Sequence, residues 1–118
     1  MEAPGGLAGR EIVSGAGEFV VVLCTAPPDG AAGIARTLVK ERLAACVNVA
    51  PVRSYFVWEG KLAEEGEELM IIKSEHRMVQ SLTKRIKELH SYQVPEIIVL
   101  PIKEGDEAYL RWLAESVG

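Results

Sequence analysis

A long hairpin of extended chain, centred on Glu59-Gly60, constrains the fold of this sequence more than any other feature. The runs 46–58 and 61–73 each hold about thirteen residues, which fully extended reach roughly 40 Å. The helical segment that precedes the hairpin has about sixteen residues and spans only ~24 Å. The hairpin is therefore predicted to project beyond the helices that cover it.

The tip of this hairpin is apolar, although a projecting tip on a monomer should be polar. Four bulky side chains precede the turn: Tyr55, Phe56, Val57 and Trp58. Left exposed, such a cluster favours aggregation. We therefore predict that the tip packs on further copies of the same chain, in a cyclic arrangement that leaves no open edge. Tyr55, Phe56 and Trp58 are the expected interface residues, because aromatic side chains are enriched at subunit contacts.

The segments on either side of the hairpin alternate between strand and helix patterns. A continuous apolar run at 19–25 predicts a covered strand, and an amphipathic helix follows it to about residue 45. After the hairpin come a helix ending near His90, a strand at 96–102 and a short helix from Gly105. The order β-α-β-β-α-β-α predicts an α+β ferredoxin-like βαββαβ sandwich with an extra C-terminal helix. Its first strand should lie inside the sheet and its second at an edge.

The chain is long enough for one domain and too short for two. Residues 1–17 are rich in Gly and Ala with little periodicity, so we expect a flexible N-terminal arm followed by one domain over 18–118. Within the hairpin, Gly66 is expected to mark a β-bulge, and Pro51 fits an edge strand.

The charge balance excludes some classes of partner. The net charge is −4, from 13 basic and 17 acidic residues. We therefore predict no nucleic-acid partner, because neutralising phosphates requires a basic face. No apolar run approaches the ~18 residues of a membrane helix, and no N-terminal segment has the pattern of a secretion signal. We expect a cytoplasmic protein without membrane insertion, whose two cysteines are free thiols.

Five separated segments carry a resemblance to a known family. They are Val22-Leu23-Cys24-Thr25-Ala26-Pro27, Arg42-Leu43-Ala44-Ala45-Cys46-Val47-Asn48, Trp58-Glu59-Gly60-Lys61-Leu62, Tyr92-Gln93-Val94-Pro95-Glu96-Ile97, and the stretch from Gly105-Asp106 to Tyr109-Leu110-Arg111-Trp112. In this order, and over 19–113, the chain resembles the CutA divalent-cation tolerance family. The resemblance implies a homotrimer of ferredoxin-like subunits with clefts between them, associated with tolerance to copper and other divalent ions.

Two positions depart from the usual pattern of that family. The family usually has His-Pro-Tyr where this chain has His90-Ser91-Tyr92, so a proline that would stiffen the loop is replaced here. It usually has Tyr two residues before the hairpin Trp, where Phe56 lacks the hydroxyl. The N-terminal arm falls outside the resemblance.

A site for copper or another divalent cation needs ligands of matching softness. Thiolates suit Cu(I), imidazole suits Cu(II) and zinc, and carboxylates suit harder ions. The candidate ligands in this chain are Cys24, Cys46, His90, Glu67 and Glu96. They form no local ligand motif, and no motif for an organic cofactor is visible. The imidazole of His90 is either a ligand or a cap at the helix end, and Glu96 is either a cleft carboxylate or a solvated one.

The two thiols are expected to lie apart. In the predicted topology Cys24 and Cys46 have one strand between them, which separates them by roughly 10 Å. That distance is too long for a disulfide or for one shared ion. A single site built by both thiols is therefore not expected.

Three functions fit a chain of this kind. The first is a metal-responsive binding protein acting through clefts between subunits. The second is a small-molecule signalling or scaffold trimer of the PII type, which rests on analogy of fold alone. The third, a hydrolase of the acylphosphatase type, needs an arginine in a phosphate-cradling loop after the first strand. That loop here is Ala26-Pro27-Pro28-Asp29-Gly30, whose acidic residue repels phosphate, so we predict that the protein is not an enzyme.

Overall fold

A computed structural model describes residues 11–118 of the chain. It contains six strands, three α-helices and one 3₁₀ turn at His76–Met78. The strands are β1 (Ile12–Ser14), β2 (Phe19–Ala26), β3 (Cys46–Trp58), β4 (Lys61–Glu75), β5 (Ile98–Pro101) and β6 (Glu104–Asp106). The helices are α1 (Ala31–Lys40), α2 (Val79–Leu89) and α3 (Glu107–Ser116). Within residues 11–118, none of these helices has the length and apolar character needed to cross a membrane.

The main sheet has four antiparallel strands in the order β3-β4-β2-β5. The first long strand, β2, therefore lies inside the sheet, and the first arm of the hairpin, β3, lies at an edge, as the sequence predicted. Pro51 lies on this edge strand, the position in a sheet where a residue without an N–H is tolerated.

The principal core lies between one face of the sheet and helices α1 and α2. Side chains alternate across a strand, so every second residue of β2 points to this face. They pack against side chains of both helices, and all members of this core are fully or almost fully buried. The members are Val20, Val22, Cys24 and Ala26 from β2, Ile34 and Leu38 from α1, and Leu82 and Ile86 from α2. Truncating one of the leucine or isoleucine side chains of this core to alanine costs about 2–5 kcal/mol, because the cavity left behind closes only partly.

The opposite face of the sheet is covered only at one end. There, α3 packs Leu110 and Leu113 against Phe19 of β2. Beyond α3, this face carries an apolar strip that no element within residues 11–118 covers; we call it the uncovered sheet face. By register it consists of Val21, Leu23, Leu69, Ile71, Ile98 and Leu100. Ile98 and Leu100 are exposed, and the other four are half-buried.

Part of the predicted N-terminal arm forms regular secondary structure. Residues 12–14 form β1, which pairs with β6 in a separate two-stranded sheet. Val13 packs on the cluster around α3, and the Gly15 N–H donates to the Lys103 carbonyl oxygen at 3.0 Å. A three-residue strand shows no period, and its partner lies ninety residues away, so local pattern could not reveal it. The remainder of the predicted arm, residues 1–10, lies outside the described residues.

Removing β1 should destabilise the fold. Comparing a chain that lacks residues 1–10 with one that lacks residues 1–15 isolates the contribution of this strand. We expect the longer deletion to lower the melting temperature by roughly 5 °C relative to the shorter one, because ~1 kcal/mol shifts the midpoint of a domain of this size by about 4–8 °C. Calorimetry measures the difference, and equal midpoints would contradict a stabilising role for β1.

The central hairpin is regular from base to tip. Its arms pair continuously from Cys46 with Lys73 to Trp58 with Lys61. The two residues of the turn both have positive φ, 51° at Glu59 and 77° at Gly60, which is the signature of a type I′ turn. The predicted bulge at Gly66 is wrong, because Gly66 pairs with Arg53 without a break in the register.

The hairpin projects from the body of the molecule, as its length predicted. The longest dimension is 55 Å, against 25 Å in each of the other two directions. The side chains at the tip are exposed in the single chain, and Trp58 has 66% of its surface accessible. Among residues 11–118, no other element covers the apolar tip or the uncovered sheet face.

Candidate functional site

A cleft of about 730 Å³ opens where the hairpin meets the loop that follows α2. Residues of β2, β3 and β4 that point to the same side as the uncovered sheet face form its floor, and the loop 91–96 forms one wall. Its charged and aromatic lining consists of Glu65, Glu67, Glu96, Phe56, Trp58 and Tyr92. Among the described residues, the lining holds three carboxylates and no lysine or arginine.

His90 fixes the loop wall to the sheet. Its Nε2 lies 2.7 Å from the carbonyl oxygen of Thr25, and its Nδ1 accepts the backbone N–H of Tyr92 at 3.0 Å. These partners require the neutral tautomer that carries its proton on Nε2. Both ring nitrogens therefore form hydrogen bonds with the protein backbone. Through them, His90 links the end of α2 to the end of β2.

Tyr92 links His90 to a buried carboxylate, that of Glu67. Its hydroxyl donates to Glu67 Oε2 at 2.9 Å, and its ring lies 4.8 Å from that of His90, centroid to centroid. Burial, reinforced by that hydrogen bond and by the negative charges of Glu67 and Glu65, raises the pKa of Tyr92 to about 12. The phenol therefore stays protonated and remains a donor to Glu67 throughout the neutral range.

The sequence profile of the CutA1 divalent ion tolerance protein family matches residues 20–116. The divalent-cation tolerance protein CutA of Pectobacterium atrosepticum is 47% identical over 102 residues, which cover 85% of this chain and 93% of that protein. The chain belongs to the CutA1 divalent ion tolerance family.

Solved structures of the family share the fold. The CutA1 structure from Oryza sativa has a TM-score of 0.84 and 41% identity, and it covers 89% of this chain and 98% of its own. The CutA structure from Synechococcus elongatus has a TM-score of 0.86 at 29% identity, with coverage of 91% and 96%. The α+β fold described above is therefore that of the CutA1 family, and β1 precedes the part that the family profile matches.

The structure brings three of the five candidate ligands to one place. Glu67 and Glu96 line the cleft, and His90 lies directly behind its wall. Cys24 is buried in the principal core, and Cys46 lies elsewhere, with its Sγ 4.0 Å from Lys73 Nζ. The five residues therefore do not form a single site.

The two thiols are farther apart than the sequence suggested. Cys24 pairs with Met70 and Cys46 with Lys73, so they are offset by three residues along β4 as well as separated by it. With ~4.8 Å between strands and ~3.4 Å per residue, this geometry corresponds to roughly 14 Å. Their side chains also point to opposite faces of the sheet. Successive side chains of a strand alternate between faces, and the partners Met70 and Lys73 are three residues apart on β4.

The chemical state of Cys24 opposes a role as a metal ligand. Burial, and secondarily the negative charge of Glu96, raises the pKa of the Cys24 thiol to about 11. A protonated thiol does not bind metal well, since the thiolate is the ligand. Among residues 11–118, no three His, Cys, Asp or Glu side chains assemble into a group that could hold an ion. Residues 11–118 of one chain thus do not fit a resident metal centre.

The low reactivity of Cys24 is testable. In a Cys46→Ser variant the remaining thiol should react with a disulfide reagent at pH 8 at least about 100-fold more slowly in the native protein than after unfolding. The reason is that a buried thiol with a pKa near 11 is neither ionised nor accessible at that pH. Rapid native labelling, measured by the absorbance of the released thiolate, would contradict this assignment.

Sequence reasoning missed some residues of the cleft. Tyr92 and Glu65 were not among the candidates, although the spacing of Glu65 and Glu67 by two residues could have placed both on one face of a strand. The predicted interface residues divide between the faces of the hairpin. Phe56 and Trp58 lie on the cleft side, and Tyr55 points to the other side.

Proposed function

We propose that this protein is a homotrimeric divalent-cation tolerance protein of the ferredoxin-like class, which acts by binding cations in clefts between subunits. The observation that carries the proposal is an acidic cleft lying beside a large apolar surface that a single chain leaves uncovered. Binding by the cleft, rather than catalysis, is the proposed activity, and the cytoplasm is the proposed location.

The assembly follows from two exposed apolar regions. The hairpin tip projects away from the body, and the uncovered sheet face lies on the same side as the cleft. Closed rings bury such surfaces without leaving an open edge. The number three comes from the resemblance to the CutA family, and it places the cleft next to a neighbouring copy.

Carboxylates are the proposed cation-binding groups of this cleft. Cys24 is a protonated core residue, and both nitrogens of His90 are already hydrogen bonded. Direct contact with a divalent ion is therefore assigned to individual carboxylates of the cleft, Glu65, Glu67 or Glu96, because residues 11–118 of one chain bring no three ligands together. As oxygen ligands, carboxylates suit harder ions better than copper. A complete coordination shell requires further ligands from water or a neighbouring copy.

Titration calorimetry with Mn²⁺, Zn²⁺ and Cu²⁺ tests the metal role. We expect micromolar or weaker binding, which Glu67→Gln reduces and Cys46→Ser leaves unchanged. A loss of copper binding in Cys46→Ser would instead restore the thiol as a ligand. Titrations that detect no ion at millimolar concentration would refute direct metal binding by this protein.

A second candidate is a PII-like signalling or scaffold trimer without a direct metal role. The absence of a three-ligand cluster within residues 11–118 favours it, and so does the size of the cleft, which exceeds the needs of an ion. Nothing in the described lining resembles a phosphate cradle, because its charged groups are all acidic. A PII-like role would therefore use a ligand that is not a phosphate.

A further inference from the structure

The dimensions of the cleft suit an organic molecule. Sites for small molecules usually measure about 300–1,000 Å³ and combine apolar walls with a few polar groups. The cleft here measures about 730 Å³, and Phe56, Trp58, Ala63 and Val94 contribute apolar surface to it. A bare ion would contact only a small part of this lining.

The charge of the cleft is unbalanced within residues 11–118. Glu67 is a buried residue with only 9% of its surface exposed, yet its carboxylate accepts a hydrogen bond from a neutral phenol, that of Tyr92. The ion pairs among residues 11–118 are made elsewhere, by Arg77, Arg85 and Arg111. A buried carboxylate without a cation is costly, because burial removes water without supplying an opposite charge. A ligand with a positive charge would remove that cost.

The aromatic walls favour the same kind of ligand. Trp58, Phe56 and Tyr92 line the cleft that also contains Glu67. A cation is attracted to the face of an aromatic ring, most strongly to that of Trp, and an apolar body gains from contact with the same surface. Carboxylates and aromatic rings together recognise an organic ammonium group better than a hydrated metal ion.

We propose that the cleft binds a primary organic ammonium ion, with its charged group at Glu67 and its apolar body against Trp58 and Phe56. This inference rests on the proposed function, because it uses the same cleft and specifies the cation. An ammonium group donates three hydrogen bonds, which the carboxylates of Glu67 and Glu96 can accept. In the proposed trimer Trp58 and Phe56 serve both the cleft wall and the subunit contact.

A matched pair of probes tests the proposal. Phenethylammonium carries a charge at pH 7, and 2-phenylethanol has nearly the same shape without it. We expect titration calorimetry to detect the amine, and the alcohol to bind at least tenfold more weakly. Glu67→Gln should weaken amine binding at least tenfold while preserving the shape of the side chain. Glu64→Gln is the matched control, because it removes the same charge from the opposite face of the same strand, and it should leave the affinity unchanged.

Glu96→Gln provides a second variant with little risk to folding, because Glu96 is exposed; it should weaken amine binding about threefold. Equal binding of amine and alcohol, or unchanged amine affinity in both Glu67→Gln and Glu96→Gln, would overturn the proposal. If metal ions bind and the amine does not, the organic ligand is refuted while the proposed metal-binding function stands. If neither binds to a trimer of verified mass, cation binding by the cleft is refuted altogether.

Discussion

A Trp58→Asp variant is expected to lose the oligomer, while the parent protein runs at about 38 kDa, three times the 12.8 kDa of one chain. Trp58 is two-thirds exposed in the single chain, at the end of a hairpin that projects far from the body. An aspartate buried at a subunit contact would lack a cation partner, and the loss of a large aromatic anchor typically costs about 2–4 kcal/mol per interface. Light scattering at micromolar concentration measures the change.

Val39→Asp is the control for this experiment. Val39 is also an exposed apolar residue, but it lies on α1, on the opposite side of the sheet from the cleft. Its replacement should leave the trimer intact. A parent protein that scatters as a monomer would refute the assembly, and a Trp58→Asp variant that remains trimeric would place the contact elsewhere.

His90→Ala should destabilise the protein by about 2–4 kcal/mol in a buffer that contains a strong chelator. The substitution leaves the Thr25 carbonyl oxygen and the Tyr92 N–H without their partner, and each buried unsatisfied group costs about 1–3 kcal/mol. Denaturant unfolding measures the free-energy change. The loop wall of the cleft should loosen as well, because Tyr92 loses its connection to β2.

This result distinguishes a structural histidine from a metal ligand. A ligand without structural contacts would leave the metal-free stability unchanged and reduce only metal affinity. His76→Ala is the control, because His76 is exposed in the 3₁₀ turn, and we expect a change of less than about 0.5 kcal/mol. Equal stabilities of the parent and the His90→Ala variant would show that the backbone contacts of His90 contribute little.

The main sheet could be predicted because its signals are local and repeated. The apolar run of β2 and the period of the helices identify the elements, and the rule on crossovers orders the strands. β1 could not be predicted, because three residues carry no period and their partner β6 is distant in sequence. The continuous pairing at Gly66 was missed because glycine only permits a bulge, and the strong register of the neighbouring pairs decided against one.

The candidate site was predictable in its chemistry and not in its arrangement. Glu67, Glu96 and His90 were recognised as candidate ligands from their residue types, and the fold places Glu67 and Glu96 in one cleft with His90 behind its wall. His90 forms its hydrogen bonds with backbone atoms and not with a ligand because of the path of the loop 91–97. No sequence pattern specifies that path. The low ionisation of Cys24 likewise depends on burial by helices from elsewhere in the chain.

The type I′ turn at Glu59-Gly60 limits how the hairpin can vary in length. The lower part of β4 is held by its pairing with β2, and β3 is held by β4, so neither arm can slide. One inserted residue cannot keep a two-residue turn and must be accommodated as a bulge. Two inserted residues, one per arm, add a complete pair and extend the reach by ~3.4 Å. Insertions and deletions at this tip should therefore occur in even numbers of residues among related chains. The distance that the hairpin spans to a neighbouring copy then changes in steps of one residue pair.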